Sequence, residues 1–156
     1  SYAQQFDRSD LPTHPARKVA VVTCMDARME PLSILGARLG DLHVIRNAGG
    51  RVTEDVIRSL VISQQLLGTE EILVIHHTDC GMMTFQNETL YARIAETLGP
   101  EAGAEARKTD FLPFPDLTES VKEDIRKLKQ SPLIPDHIRI YGGIYDVRTG
   151  KVDRVE

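Results

Sequence analysis

Only two cysteines occur in this chain of 156 residues, and a histidine stands close to one of them. Cys24 lies in the segment CMDAR, whereas His77 and Cys80 lie in the segment HTDCG. Thiolate and imidazole are preferred ligands of Zn²⁺, and a histidine and a cysteine three positions apart on a tight turn can reach one ion. Three protein ligands would leave a fourth position open, which is typical of a catalytic rather than a structural zinc site.

Each of these residues also has a simpler interpretation. A single cysteine at the end of a buried strand is commonly a small packed side chain, and an isolated H-x-x-C match is weak evidence for a metal. The presence of both cysteines and one histidine at such positions favours the metal site. A thioredoxin-type redox pair is disfavoured, because Cys24 and Cys80 lie far apart in the chain and form no C-x-x-C motif.

Asp26 and Arg28 follow Cys24 closely and add a second kind of chemistry. Residues at positions i and i+2 of an extended turn can point the same way, so this carboxylate and guanidinium could form a bidentate pair beside the metal. A carboxylate held by an arginine would orient water-derived hydroxide on the ion. An ordinary surface salt bridge is the alternative interpretation.

This chemistry requires that both segments lie at the same edge of a sheet. Apolar, β-branched runs predict buried strands of a parallel sheet at residues 18–23, 42–46, 71–76 and 137–141. Helical patterns lie between them, at residues 31–39, from a cap at Thr53 to a stop at Gly68, at 87–98, and from a cap at Asp116 to 129. Residues 101–115 are predicted to form a surface loop, and a hairpin is predicted after Gly142 and Gly143.

This alternation predicts an α/β fold with an open, mostly parallel sheet of order 2-1-3-4, flanking helices and a C-terminal β-hairpin. Strands one and three are neighbours in that order, so Cys24, His77 and Cys80 would converge at their carboxyl ends, where such folds bind ligands. Residues 1–17 are predicted to be an N-terminal arm that lies on another subunit. Residues 18–156 are predicted to be a single catalytic domain.

Charge and hydropathy narrow the range of partners. The 19 Lys and Arg residues against 23 Asp and Glu residues leave a net charge of −4, which disfavours nucleic-acid binding. No apolar run is long enough to span a bilayer, and residues 1–10 lack the apolar stretch of a signal peptide. These observations predict a cytoplasmic protein whose two thiols stay reduced.

Several segments together resemble the β-class carbonic anhydrases. They are C-x-D-x-R at Cys24 to Arg28, RNAGG at Arg46 to Gly50, H-x-x-C-G at His77 to Gly81, and the terminal GGIYDVRTGKV. The likeness extends from about Lys18 to Val155, in a chain that is compact for this family. The first and third motifs are specific in combination, whereas RNAGG alone would be only suggestive.

The resemblance implies a function and a set of site residues. It implies a β-carbonic anhydrase-like fold, Cys24, His77 and Cys80 as zinc ligands, and Asp26 with Arg28 as the catalytic dyad. It implies the reversible hydration of carbon dioxide to bicarbonate and a proton by zinc-bound hydroxide, in a homodimer or tetramer. In some members the aspartate takes the fourth zinc position in an inactive state, and Asp26 could do the same.

Three other functions remain open on this evidence. Relatives with the same fold and ligand set hydrolyse carbonyl sulfide or carbon disulfide, and motifs do not separate these substrates from carbon dioxide. A second possibility is an inactive zinc-containing binding domain in which Asp26 permanently closes the coordination sphere. A third, a metal-free dithiol protein, is tested by elemental analysis.

Nearby residues carry open interpretations as well. His76 could relay protons, although hydrogen-bonded packing is the favoured interpretation, as it is for His43. Met82 and Met83 could line an apolar pocket or belong to the core. Asp79 lies between two ligand positions and is predicted to point away from the metal.

Overall fold

Five strands form one sheet flanked by six helices in a computed structural model that describes residues 1–156. The strands are β1 (Val19–Cys24), β2 (Leu42–Asn47), β3 (Glu71–His77), β4 (Arg139–Tyr145) and β5 (Val152–Arg154). The helices are α1 (Tyr2–Gln5), α2 (Pro31–Ile34), α3 (Glu54–Gln65), α4 (Asn87–Leu98), α5 (Pro100–Ala106) and α6 (Leu117–Gln130). Single 3₁₀ turns follow β2 and precede α4.

The sheet order is β2-β1-β3-β4-β5, which confirms the predicted order 2-1-3-4 with a terminal hairpin. The first four strands are parallel, and β5 returns antiparallel to β4. Thr23 near the end of β1 is in register with Ile75 of β3. Cys24 and His77 follow these two residues closely, so the topology places both at one edge of the sheet.

The two faces of the sheet bury different apolar clusters. Ala20 and Val22 of β1 face α3 and α6, where Leu60 and Leu128 are fully buried. Burying a leucine side chain stabilises a fold by about 1.5–3 kcal/mol, so these helices are held firmly on the sheet. The opposite face has a second cluster that contains both cysteines: Val19, Val21, Cys24, Met29, Ile75, Cys80, Met82 and Phe114.

Two helical regions differ from the prediction: one helix was not predicted, and another is shorter than predicted. Residues 100–106 form α5, where a loop had been expected, because Pro100 fits the first helical turn and Gly103 packs closely against Ala95 of α4. Helix α2 ends at Ile34 rather than near residue 39, since Gly36 adopts a left-handed conformation with φ of +61°.

Two strand predictions also needed correction. The predicted strand at 137–141 and the first arm of the hairpin are one continuous strand, β4, with Gly142 and Gly143 in its middle. A side chain at Gly142 would collide with Val121 and Ile125, so the glycine lets α6 approach the sheet. Strand β2 is half-exposed rather than buried on both faces, because it forms an edge of the sheet.

The N-terminal residues form the short helix α1, on which Tyr2 is exposed, as is Phe6 beyond it. Their predicted contact with another subunit, like the division of the chain at residue 18, stays a prediction. None of the helices combines the length and the apolar character needed to cross a membrane.

Candidate metal centre

Three buried side chains meet at the carboxyl ends of β1 and β3. Cys24 is the last residue of β1, His77 is the last residue of β3, and Cys80 lies in the loop that follows β3. The two sulfur atoms and an imidazole nitrogen all lie within 4.8 Å of one another. The structure therefore brings together the three residues that the sequence proposed as metal ligands.

The imidazole of His77 is oriented by its backbone neighbour. Its Nδ1 lies 2.7 Å from the carbonyl oxygen of Thr78 and donates a hydrogen bond to it. This tautomer leaves Nε2 as a lone-pair donor, and Nε2 is buried without a hydrogen-bond partner. A buried polar atom that lacks a partner costs free energy, so Nε2 points to an ion as its missing partner.

The two thiols differ in acidity because they interact with each other. Contact with Cys80 lowers the pKa of Cys24 to about 4, against the opposing effect of burial. The same contact, together with burial, raises the pKa of the Cys80 thiol. A bound cation favours the thiolate form of a cysteine ligand, so metal binding at this pair would release a thiol proton.

These ligand atoms fit Zn²⁺. Zinc–sulfur bonds of about 2.3 Å and zinc–nitrogen bonds of about 2.0–2.1 Å place neighbouring ligand atoms of a tetrahedral site about 3.5–3.8 Å apart. The three ligand atoms lie within 4.8 Å of one another, which is compatible with that geometry. Two thiolates and one imidazole are also the soft and intermediate ligands that zinc accepts, whereas Mg²⁺ and Ca²⁺ require oxygen.

Asp26 and Arg28 form the bidentate pair that their spacing predicted. Arg28 Nε donates to Asp26 Oδ1 at 3.0 Å, and Nη2 donates to Oδ2 at 2.7 Å. These hydrogen bonds hold the pKa of Asp26 well below its usual range, so the carboxylate stays ionised. Asp26 Oδ2 lies 3.6 Å from His77 Nε2, which places the carboxylate beside the candidate ligand atoms rather than at the open surface.

Two residues that hold this pair were missed by sequence reasoning. Arg46, at the end of β2, donates from Nε to the carbonyl oxygen of Cys24 at 2.8 Å and from Nη2 to that of Asp26 at 2.7 Å. Asp79 accepts a hydrogen bond from Arg28 Nη1 at 2.9 Å. The RNAGG segment was the available signal for Arg46, whereas nothing local to Asp79 indicated its partner.

The backbone of the RNAGG segment packs directly under β1. Gly50 has φ of +66°, and a Cβ atom there would lie 2.8 Å from the carbonyl carbon of Thr23 and 2.9 Å from the nitrogen of Cys24. Gly49 likewise makes room for Met82. Gly81 differs from these two glycines, because a Cβ atom there would contact nothing.

His76 belongs to a buried polar network rather than to an exposed relay. Its Nδ1 lies 2.7 Å from Ser120 Oγ, and its Nε2 lies 3.1 Å from Asp124 Oδ2. Asp124 also pairs with Arg51, whose Nε lies 3.0 Å from the same oxygen. His76 and Asp124 are completely buried and Arg51 is 2% exposed, so these contacts support the packing interpretation.

The remaining candidates near the site have structural roles. His43 lies 2.7 Å from Ser63 Oγ, and burial lowers the pKa of this histidine. Met82 is buried in the same cluster as both cysteines, whereas Met83 is partly exposed. Asp79 points to Arg28 and to solvent, away from the ligand atoms, as predicted.

Comparison with known proteins gives a consistent assignment. The family model described as carbonic anhydrase matches residues 19–152. The chain is 43% identical to β-carbonic anhydrase 1 of Mycobacterium tuberculosis, over 99% of this chain and 91% of that protein. It is also 36% identical to carbon disulfide hydrolase of Acidithiobacillus thiooxidans, over 86% of this chain and 75% of that protein.

Solved structures show the same likeness. The carbonic anhydrase of Streptococcus mutans superimposes with a TM-score of 0.94 at 54% sequence identity, over 99% of this chain and 91% of that chain. The carbonic anhydrase of Glaciozyma antarctica superimposes with a TM-score of 0.91 at 44% identity, over 100% of this chain and 99% of that chain. With a buried Cys-His-Cys set that fits zinc, this chain belongs to the β-carbonic anhydrase family.

Proposed function

We propose that this enzyme catalyses the reversible hydration of carbon dioxide to bicarbonate and a proton. The observation that carries the proposal is the Asp26 carboxylate, which Arg28 holds 3.6 Å from Nε2 of His77 within the Cys24, His77 and Cys80 set. A carboxylate kept ionised beside a zinc site is suited to orient a water molecule during its attack on a small electrophile.

The ligands define where the reaction takes place. Cys24, His77 and Cys80 would hold the ion and leave one coordination position free. When bound, Zn²⁺ supplies the Lewis acidity that lets water lose a proton near neutral pH.

Asp26 and Arg28 act on the attacking water. Because both oxygens of Asp26 already accept hydrogen bonds from Arg28, the carboxylate is ionised and can serve only as an acceptor toward a third group. Asp26 would accept a hydrogen bond from the attacking water and direct its lone pair to the carbon of CO₂. One C–O bond forms, one C=O double bond opens to a carboxylate oxygen, and a proton leaves to buffer.

Replacement of Asp26 tests its role. We expect Asp26→Asn to retain one zinc per chain and to lose CO₂ hydration about 10- to 100-fold, the range for residues that orient metal-site groups. Glu88→Gln is the matched control, because Glu88 also pairs with an arginine, Arg107, at 3.0 Å but lies on the exposed surface of α4. Full activity in the Asp26 variant would exclude the proposed role.

A second variant tests the metal. Cys24→Ser should remove most of the zinc measured by elemental analysis and abolish hydration, since a hydroxyl is a poor substitute for a thiolate ligand. Stoichiometric zinc in this variant would contradict the assignment of Cys24 as a ligand.

Hydrolysis of carbon disulfide is the second candidate activity, because the chain is 36% identical to a carbon disulfide hydrolase over 86% of its length. The two reactions share the attack of water on a linear electrophile, so the residues above serve either one. Assays of CO₂ hydration and of sulfide release from carbon disulfide and carbonyl sulfide, on one zinc-loaded preparation, distinguish them. A zinc-loaded protein inactive in all three assays at every pH would instead be the binding domain closed by Asp26.

We also propose that the active form is a homodimer or tetramer in the cytoplasm. Exposed Tyr2 and Phe6 support an intersubunit arm, and Ile62 and Leu133 help to line a cleft of about 1240 Å³ between α3 and α6 that could receive apolar side chains. Sedimentation of the full chain and of a Tyr2→Ser/Phe6→Ser variant tests this, with a lower mass expected for the variant. The two free thiols favour a reducing compartment.

A further inference from the structure

Asp79 occupies an unusual position between two of the proposed metal ligands. It follows His77 by two residues and precedes Cys80 directly. Its side chain is 74% exposed, yet its backbone adopts the left-handed conformation with φ of +53°. Aspartate tolerates this conformation better than most residues, but it still costs free energy, so contacts made in this turn must offset that cost.

Asp79 makes two contacts, and both are to Arg28. Arg28 Nη1 donates to Asp79 Oδ2 at 2.9 Å, and Arg28 Nη2 donates to the Asp79 carbonyl oxygen at 2.9 Å. The other side of the same guanidinium donates to both oxygens of Asp26. Four of its five N–H groups are therefore engaged, and the planar fork of the arginine is held from two directions.

The two anchors lie on different loops. Asp26 lies in the loop after β1, a strand whose last residue is Cys24, whereas Asp79 lies in the loop after β3, which also contains Cys80. Arg28 is 46% exposed, and an exposed arginine held by one neighbouring aspartate would lose much of that contact to side-chain motion and solvent. The second anchor, 51 positions away in the chain, ties the arginine to the opposite ligand loop.

We propose that Asp79 is a positioning residue that fixes the orientation of Arg28 and, through it, keeps the Asp26 carboxylate beside the open side of the Cys-His-Cys set. This inference rests on the proposed role of Asp26 in CO₂ hydration. Asp79 itself does not touch the ligand atoms; it acts by limiting the orientations available to the arginine. Because Asp79 affects the orientation of Arg28 and Asp26 and not the metal ligands, its loss should lower the rate of the chemical step and leave zinc binding unchanged.

Two substitutions separate this role from a role in the turn. Asp79→Gly keeps the carbonyl contact and suits the positive φ but deletes the carboxylate. Asp79→Asn keeps the shape and an oxygen acceptor but deletes the charge. If Asp79 served only the turn, glycine would be the better tolerated replacement, whereas the positioning role predicts that glycine is the more damaging one and that asparagine partly rescues kcat.

The experiment compares zinc-loaded wild type, both variants and the Glu88→Gln control. We expect kcat for CO₂ hydration to fall about threefold to tenfold in Asp79→Gly and less in Asp79→Asn, between the effect of an exposed ion pair and that of a residue orienting a metal-site group. KM, zinc content and the thermal midpoint should stay at wild-type values. An unchanged kcat in Asp79→Gly, or a loss of zinc in proportion to activity, would overturn the proposal.

A crystal structure of zinc-loaded Asp79→Gly gives a readout that does not depend on activity. We expect the Arg28 side chain to leave its two hydrogen bonds to Asp26 or to occupy several orientations. Retention of both bonds at their present lengths would overturn the positioning role. If the wild type does not hydrate CO₂, the proposed function fails while this structural comparison still decides whether Asp79 holds Arg28.

Discussion

Removing either partner of the buried ion pair between Arg51 and Asp124 should destabilise the protein strongly. Replacing both partners together with apolar residues should change its stability much less. Asp124 has no exposed surface, and its Oδ2 lies 3.0 Å from Arg51 Nε and 3.1 Å from His76 Nε2. Removing the carboxylate would leave a guanidinium that is 2% exposed with only Glu123, at 3.1 Å, as a charged partner. His76, which belongs to this network, directly precedes the proposed metal ligand His77, so the network also supports the metal site.

The expected magnitudes follow from this burial. We expect Asp124→Leu to lower the free energy of unfolding by about 3 kcal/mol, near the low end for breaking a buried pair because Glu123 partly compensates. This corresponds to a change of more than 100-fold in the ratio of folded to unfolded protein. Arg51→Met should lower the free energy of unfolding by a similar amount. The double variant Arg51→Met/Asp124→Leu should lose much less than the sum of the two single losses, which gives a coupling energy between the two sites of at least about 2 kcal/mol.

Urea unfolding of the four proteins measures this coupling. The transitions should be followed by circular dichroism at one protein concentration and with excess zinc, because metal binding and subunit association both change the apparent stability. Glu123→Gln is the control on the same helix, and we expect it to cost less than about 1 kcal/mol because Glu123 is half-exposed. Additive losses in the double variant would refute the reasoning.

Two further predictions concern the backbone and the acid limit of stability. Gly50→Ala should destabilise the protein by about 2 kcal/mol or more beyond Gly36→Ala, because both positions have a positive φ but only at Gly50 would the new Cβ meet backbone atoms; equal thermal midpoints would contradict this. Hydrogen bonds from Asn87 and from a backbone N–H lower the pKa of Asp110. This carboxylate therefore stabilises the fold above its ordinary pKa of 3.8 and loses that contribution as the pH falls through its lowered value. The stability difference between wild type and Asp110→Asn should vanish in acid, and at pH 7 it should be no more than about 0.5 kcal/mol because solvent screens this exposed carboxylate; a constant difference in denaturation at pH 2 and pH 7 would disprove it.

Most secondary structure could be predicted because its signals are local. The alternation of β-branched runs with capped helical patterns predicted four strands in the correct order, and Thr53 and Asp116 cap their helices as expected. Helix α5 was missed because its alanine and glutamate residues, which favour a helix, are interrupted by Gly103 and form no apolar periodic pattern. Its packing of Gly103 against Ala95 stabilises it, and such a contact leaves no periodic pattern.

The composition of the metal centre was also accessible from the sequence. Two cysteines and a histidine stood at the ends of predicted neighbouring strands, and parallel strands bring their carboxyl ends to one edge. Asp26 and Arg28 are two residues apart, so their pairing followed from local geometry. For His76, in contrast, the choice between a proton relay and hydrogen-bonded packing depended on the residues packed around it, above all Ser120 and Asp124.

The sequence by itself determined the residue types of the candidate metal site, the strands that lead to it and the family resemblance, because spacing and hydrophobic period are local properties. Only the tertiary structure decided which distant charges meet. Arg28 reaches Asp79 across 51 positions, and Arg51 meets Asp124 from a different element of the fold. Such partners depend on how loops and helices pack over the sheet, and a charged residue in a sequence looks the same whether it faces water or a buried counter-ion.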